Sequence, residues 1–85
     1  MTTVGERIRA AREAKRLPRT ALAALVGVST ATVKRWETGL RYPDALEIHR
    51  IAIASQSDPF DLLGDREAYE NELARNAKRL RAAGS

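Results

Sequence analysis

Residues 19–39, RTALAALVGVSTATVKRWETG, leave little freedom in how this chain can fold. Leu22, Val26, Val28, Val33 and Trp36 are apolar, and their spacing suits two short helices that each bury one face. Ala23 is small enough to let the second of these helices approach the first. Gly27 comes four residues later, where the chain must leave the first helix and where a left-handed conformation costs glycine almost nothing. Ser29 is then placed to cap the second helix by accepting a hydrogen bond from a backbone N–H two or three residues on. Two short helices at a fixed angle about a tight turn make a helix-turn-helix. A short second helix with a polar outer face is a shape that enters a DNA major groove.

The flanking pattern supplies the rest of an all-α domain. Val4, Ile8, Ala11, Arg12 and Leu17 recur near helical spacing and predict a helix over 4–16, broken at Pro18. Helices over 19–26 and 30–37 follow, the latter stopped by Gly39. Tyr42 is biased toward extended backbone by Pro43, so 38–43 reads as a loop. Asp44 is a cap for a fourth helix that carries Ala45, Ile48, Ile51 and Ala52 on one face. Asp58 followed by Pro59 opens a short fifth helix bearing Phe60, Leu62 and Leu63, and Gly64 ends it. From Asp65 onward the acids come early and the bases late, as a helix dipole favours. The expected organisation is a five-helix domain over 1–64 and a helical extension over 65–85.

Composition narrows the function classes. No run approaches the roughly 18 apolar residues of a membrane span, and the opening MTTVGERIRAA lacks the apolar stretch of a secretory leader. With no cysteine, disulfides and thiolate metal sites are excluded. A cytoplasmic protein is expected. Twelve arginines against three lysines, with fifteen alanines, hint at a GC-rich bacterial or phage genome. The net charge of +4 hides an asymmetry. Residues 1–43 carry nine basic and three acidic side chains, whereas 44–65 carry one arginine and five acids. A basic front on an acidic back orients the molecule toward a polyanion. Catalysis has no support: there is no Ser-His-Asp set, no metal-ligand spacing and no phosphate loop after a strand. His49 stands without a second histidine or a cysteine, and no metal or cofactor is expected.

Residues 5–63 resemble the XRE-type helix-turn-helix family, which includes the Cro and repressor proteins of lambdoid phages. The resemblance is carried by Ile8 and Arg12, Leu22-Ala23, Gly27-Val28-Ser29, Val33, the Trp36-Glu37-x-Gly39 motif, Pro43 and Ile51-Ala52. It implies a lambda-repressor-like fold and a transcriptional regulator of double-stranded DNA, a repressor before an activator, acting as a homodimer on a two-fold symmetric operator. Mapped by motif, Thr30, Ala31, Lys34 and Arg35 would face the bases, and Arg19, Thr20, Ser29, Thr38, Arg41 and Tyr42 the phosphates. Arg12 and Glu37 match the family's structural ion pair. Two positions depart from the pattern. Arg19 stands where the family usually has glutamine, and Pro18 replaces the usual serine or threonine cap. A helix without its side-chain cap typically loses about 1 kcal/mol, and a DNA phosphate would satisfy the exposed N–H groups there.

The C-terminal segment leaves two readings open. Tyr69, Leu73, Asn76/Ala77 and Leu80 fall on one stripe at alternating spacings of four and three, like a short coiled-coil seam. That stripe, with Phe60 and Leu63, would build a homodimer; otherwise the helix folds back on its own domain. A competing function is a protein-interaction module of antitoxin type, occupying an unidentified protein partner through this helix.

Overall fold

The computed structural model describes residues 3–64 and residue 74, and among them there are five helices and no strand. The readings made for Tyr69, Leu73, Asn76, Ala77 and Leu80 lie outside the described residues. Helix α1 (Val4–Ala14) begins at Thr3, whose side chain accepts from the Glu6 N–H at 3.1 Å. It stops two residues before the end expected from the apolar spacing. The Leu17 N–H donates to the Arg12 carbonyl at 3.1 Å and the Arg16 N–H to Glu13 at 2.9 Å, while Arg16 turns left-handed at φ 55. This is a Schellman closure, built here without glycine. Leu17 is therefore half-buried after the helix rather than within it.

Helix α2 (Arg19–Val26) has no side-chain cap, in keeping with Pro18, and ends at left-handed Gly27 with φ 84. The Val28 N–H closes that end on the Ala23 carbonyl at 3.0 Å. Ser29 then caps α3 (Thr30–Thr38) by accepting from the Thr32 N–H at 3.1 Å. Helix α3 runs one residue beyond the expected 30–37 and stops at Gly39. Helix α4 (Ala45–Ser55) starts with a reciprocal capping box. The Glu47 N–H donates to Asp44 at 2.8 Å, and the Asp44 N–H donates to Glu47 at 3.0 Å. Asp58 caps α5 (Pro59–Leu63).

Packing follows from which faces are apolar. Helix α1 lies against α3 and α5, α2 against α3 and α4, and α4 against α5. Ile8, Leu22, Val33 and Ile51 are fully buried where these helices meet, joined by Trp36, Ile48, Ala52 and Leu62. The Trp36 indole N–H has no acceptor among the described residues, so this side chain serves the core by packing. Phe60 and Leu63 are half-buried against the same core, so part of each is already used within the domain.

Gly5 sets how closely α1 approaches α3. A Cβ at this position would run into the carbonyl oxygens of Trp36 and Glu37 in the last turn of α3. Backbone atoms cannot step aside as a flexible side chain can. Gly5→Ala is expected to force the two helices apart and to destabilise the domain by roughly 1–3 kcal/mol. Equilibrium urea unfolding reads this directly; a midpoint equal to that of the native chain would show that α1 shifts without cost.

Candidate nucleic-acid interface

Helix α3 divides its side chains cleanly between two faces. Val33, Trp36 and Glu37 turn inward, and Thr32 is buried where its hydroxyl lies 2.9 Å from that of Ser29. Thr30, Ala31, Lys34 and Arg35 are all exposed and form one stripe along the helix. Their chemistry is mixed. Thr30 and Ala31 are short and permit close approach to base edges or a thymine methyl, while Arg35 carries the planar fork that suits guanine O6 and N7.

The polar groups at either end of α3 fall into two sets. Thr38, Arg41 and Tyr42 line one cleft of about 300 Å³ between the start of α1 and the loop after α3. Thr38 donates its hydroxyl to the Lys34 carbonyl at 2.8 Å, which fixes its rotamer at the helix end. Arg41 reaches Glu47 at 3.3 Å, and Tyr42 is 65% exposed. Glu47 thus serves both the α4 capping box and a candidate phosphate contact. Its signal is in the sequence, as Asp44-x-x-Glu47. Ser29 is exposed and committed to its cap, and Thr20 is exposed on the first turn of α2.

The second set centres on Glu37, whose side chain is 1% exposed. Arg12 donates Nε to Oε2 at 2.6 Å and Nη2 to Oε1 at 3.1 Å, a two-point pairing across α1 and α3. Its Nη1 donates to the Leu17 carbonyl at 2.9 Å. The hydrogen bond to Glu37 holds the Arg12 guanidinium above its ordinary pKa. Arg19 also joins the cluster: its Nε donates to Glu37 Oε1 at 3.0 Å, with the side chain 33% exposed. The ion pair expected from the sequence is present, and it has a third member. Arg19 is expected from the sequence on the phosphates, and no local signal ties it to Glu37, because eighteen residues separate them.

Residues 3–59 match the family described as the helix-turn-helix domain. The chain belongs to this family. Within it, the described helices have the XRE, or Cro/C1, arrangement. A crystal structure of the P22 c2 repressor protein in complex with a synthetic operator is similar at 35% identity and a TM-score of 0.71, covering 76% of this chain and 100% of that one. The restriction-modification controller protein C.AhdI from Aeromonas hydrophila is similar at 32% identity and a TM-score of 0.69, over 73% of this chain and 94% of its own. The solution structure of the DNA-binding domain of the P22 c2 repressor gives 34% identity and a TM-score of 0.68, over 74% and 84%. Among curated proteins nothing matches. The repressor and controller proteins to which the chain is similar are DNA-binding regulators and not enzymes. Among the described residues no helix is long and apolar enough to cross a membrane, and no cluster could hold a metal ion.

Removing one partner of the buried pair strands the other. Glu37→Ala leaves Arg12 charged and nearly enclosed, and is expected to lower stability by roughly 3 kcal/mol. A calorimetric melt checks this; a shift of less than a degree would show the cluster to be well solvated.

Proposed function

We propose that this chain is a transcriptional repressor that binds a two-fold symmetric operator in double-stranded DNA as a homodimer in the cytoplasm of a bacterium. The observation that carries the reading is the exposed stripe Thr30, Ala31, Lys34 and Arg35 on α3, flanked by candidate phosphate contacts at both ends. Helix α3 lies in the major groove with this stripe against the base edges. Thr38, Arg41 and Tyr42 hold the backbone on one side, and Arg19, Thr20 and Ser29 hold it on the other. Phosphate contacts position the helix, and the stripe reads sequence. Repression follows from occupying a promoter.

Dimerisation sets two copies of α3 about 34–36 Å apart, one turn of DNA, and so calls for an operator with matching half-sites. The apolar stripe of residues 69–80 and the half-exposed parts of Phe60 and Leu63 are the surfaces assigned to it. Footprinting on the DNA that flanks the chain's own gene tests the whole reading. A protected, symmetric site with sedimentation of the free protein as a dimer is expected. No retention on duplex DNA would instead favour a module that occupies a protein partner.

Arg35→Ala is expected to cost roughly 1–3 kcal/mol on the operator and to relax preference at one base position per half-site. An unchanged ratio of specific to scrambled binding would remove Arg35 from base readout. Arg41→Ala is expected to weaken binding to all sequences alike and to flatten the log–log salt dependence by about 0.9 for each phosphate that is no longer neutralised. A slope equal to that of the native chain would leave Arg41 as a partner of Glu47 and nothing more.

A further inference from the structure

We propose that Glu37 is a positioning residue for the DNA contact: it holds Arg19 by Nε, so that one rigid guanidinium bridges the buried carboxylate to a backbone phosphate at the start of α2. This rests on the DNA-binding reading and deepens it. The geometry of the cluster separates the two arginines. Arg12 spends Nε, Nη1 and Nη2 on Glu37 and on the Leu17 carbonyl, and its side chain is 11% exposed. It is wholly structural. Arg19 spends Nε alone, is 33% exposed, and has no partner for Nη1 or Nη2 among the described residues.

Charge points the same way. Arg12 and Arg19 meet on Glu37, and Glu13, held by Arg9 and 3.8 Å from Arg12, is the second acid beside them. Three guanidinium groups against two carboxylates leave one surplus positive charge at the start of α2, the end that lacks a side-chain cap. The helix dipole adds to it. An anion there meets a fork whose plane is already fixed by a carboxylate that cannot itself move, because Glu37 is pinned by Arg12 on the other side. A phosphate that binds this fork does not have to order a free arginine side chain.

The bridge requires a planar group with two usable edges. Lysine carries the same charge on a single nitrogen and cannot offer one edge to Glu37 and a second, fixed one to a phosphate. R19K is therefore expected to bind operator DNA about tenfold more weakly than the native chain, the loss of about one charge-assisted hydrogen bond. In the E37Q background the amide oxygen offers the Arg19 Nε–H at most one neutral hydrogen bond and the charge that fixes the fork is lost, so arginine and lysine at this position are expected to agree within about twofold. Taking the ratio cancels any general effect of E37Q on stability or local potential. Both comparisons are made on full-length chains, at a temperature where circular dichroism shows each variant folded. Native-like binding by R19K would overturn the bridge, as would an arginine-to-lysine ratio that E37Q leaves unchanged. Should E37Q not fold, the R19K comparison decides alone. No DNA binding by the native chain would instead remove the DNA-binding reading, and the bridge with it.

Discussion

One buried carboxylate orders this domain. Glu37 sits at the end of α3 with its side chain enclosed, and its charge is met by arginines from two other helices, Arg12 on α1 and Arg19 on α2. An apolar core alone tolerates small slips between helices, because one methyl group packs much like another. A buried charge does not. A slip that parted Glu37 from Arg12 would leave both in a low-dielectric interior, at a cost of several kcal/mol. The angle of α3 to its neighbours, and so the presentation of its outer face, is tied to this cluster. Gly5 acts on the same joint from the other side by letting the α1 backbone touch the last turn of α3.

Around that joint the molecule separates what holds the fold from what faces outward. Trp36 and Val33 fill the core from the inner face of α3, and Lys34 and Arg35 alternate with them on the outer face. Ser29 and the left-handed Gly27 set where α3 begins. The Asp44–Glu47 box sets where the loop carrying Arg41 and Tyr42 ends. Two of the residues facing outward, Arg19 and Arg41, are already held by acids in the free chain. Arranging cations before DNA arrives reduces the side-chain order that binding must impose.

The helices are legible because their signals are local. Caps at Ser29, Asp44 and Asp58 and the breaks at Gly27, Gly39 and Gly64 announce their own positions, and the apolar face of α4 follows its period. The end of α1 is misplaced by two residues because Leu17 continues the apolar spacing, while the closure depends on Arg16 accepting a left-handed backbone. What cannot be read locally is contact between distant residues. Nothing near Gly5 shows that two carbonyl oxygens lie against it, and nothing near Arg19 shows that Glu37 is within reach. The outward placement of Thr30, Ala31, Lys34 and Arg35 follows from helical period once Val33 and Trp36 are set inward. Their assignment to bases rather than phosphates comes from resemblance.

DNA binding is proposed to fall on the outer face of α3 and the cations that flank it. A ¹H–¹⁵N NMR titration of the full chain with duplex DNA from the region flanking its own gene tests this residue by residue. The largest amide perturbations are expected at Thr30, Ala31, Lys34 and Arg35, with further shifts at Arg19, Thr20 and Thr38–Tyr42. Residues 50–55 of α4 should remain unperturbed. Perturbations centred on the exposed Leu25 and Ile53 instead, with α3 unmoved, would contradict it.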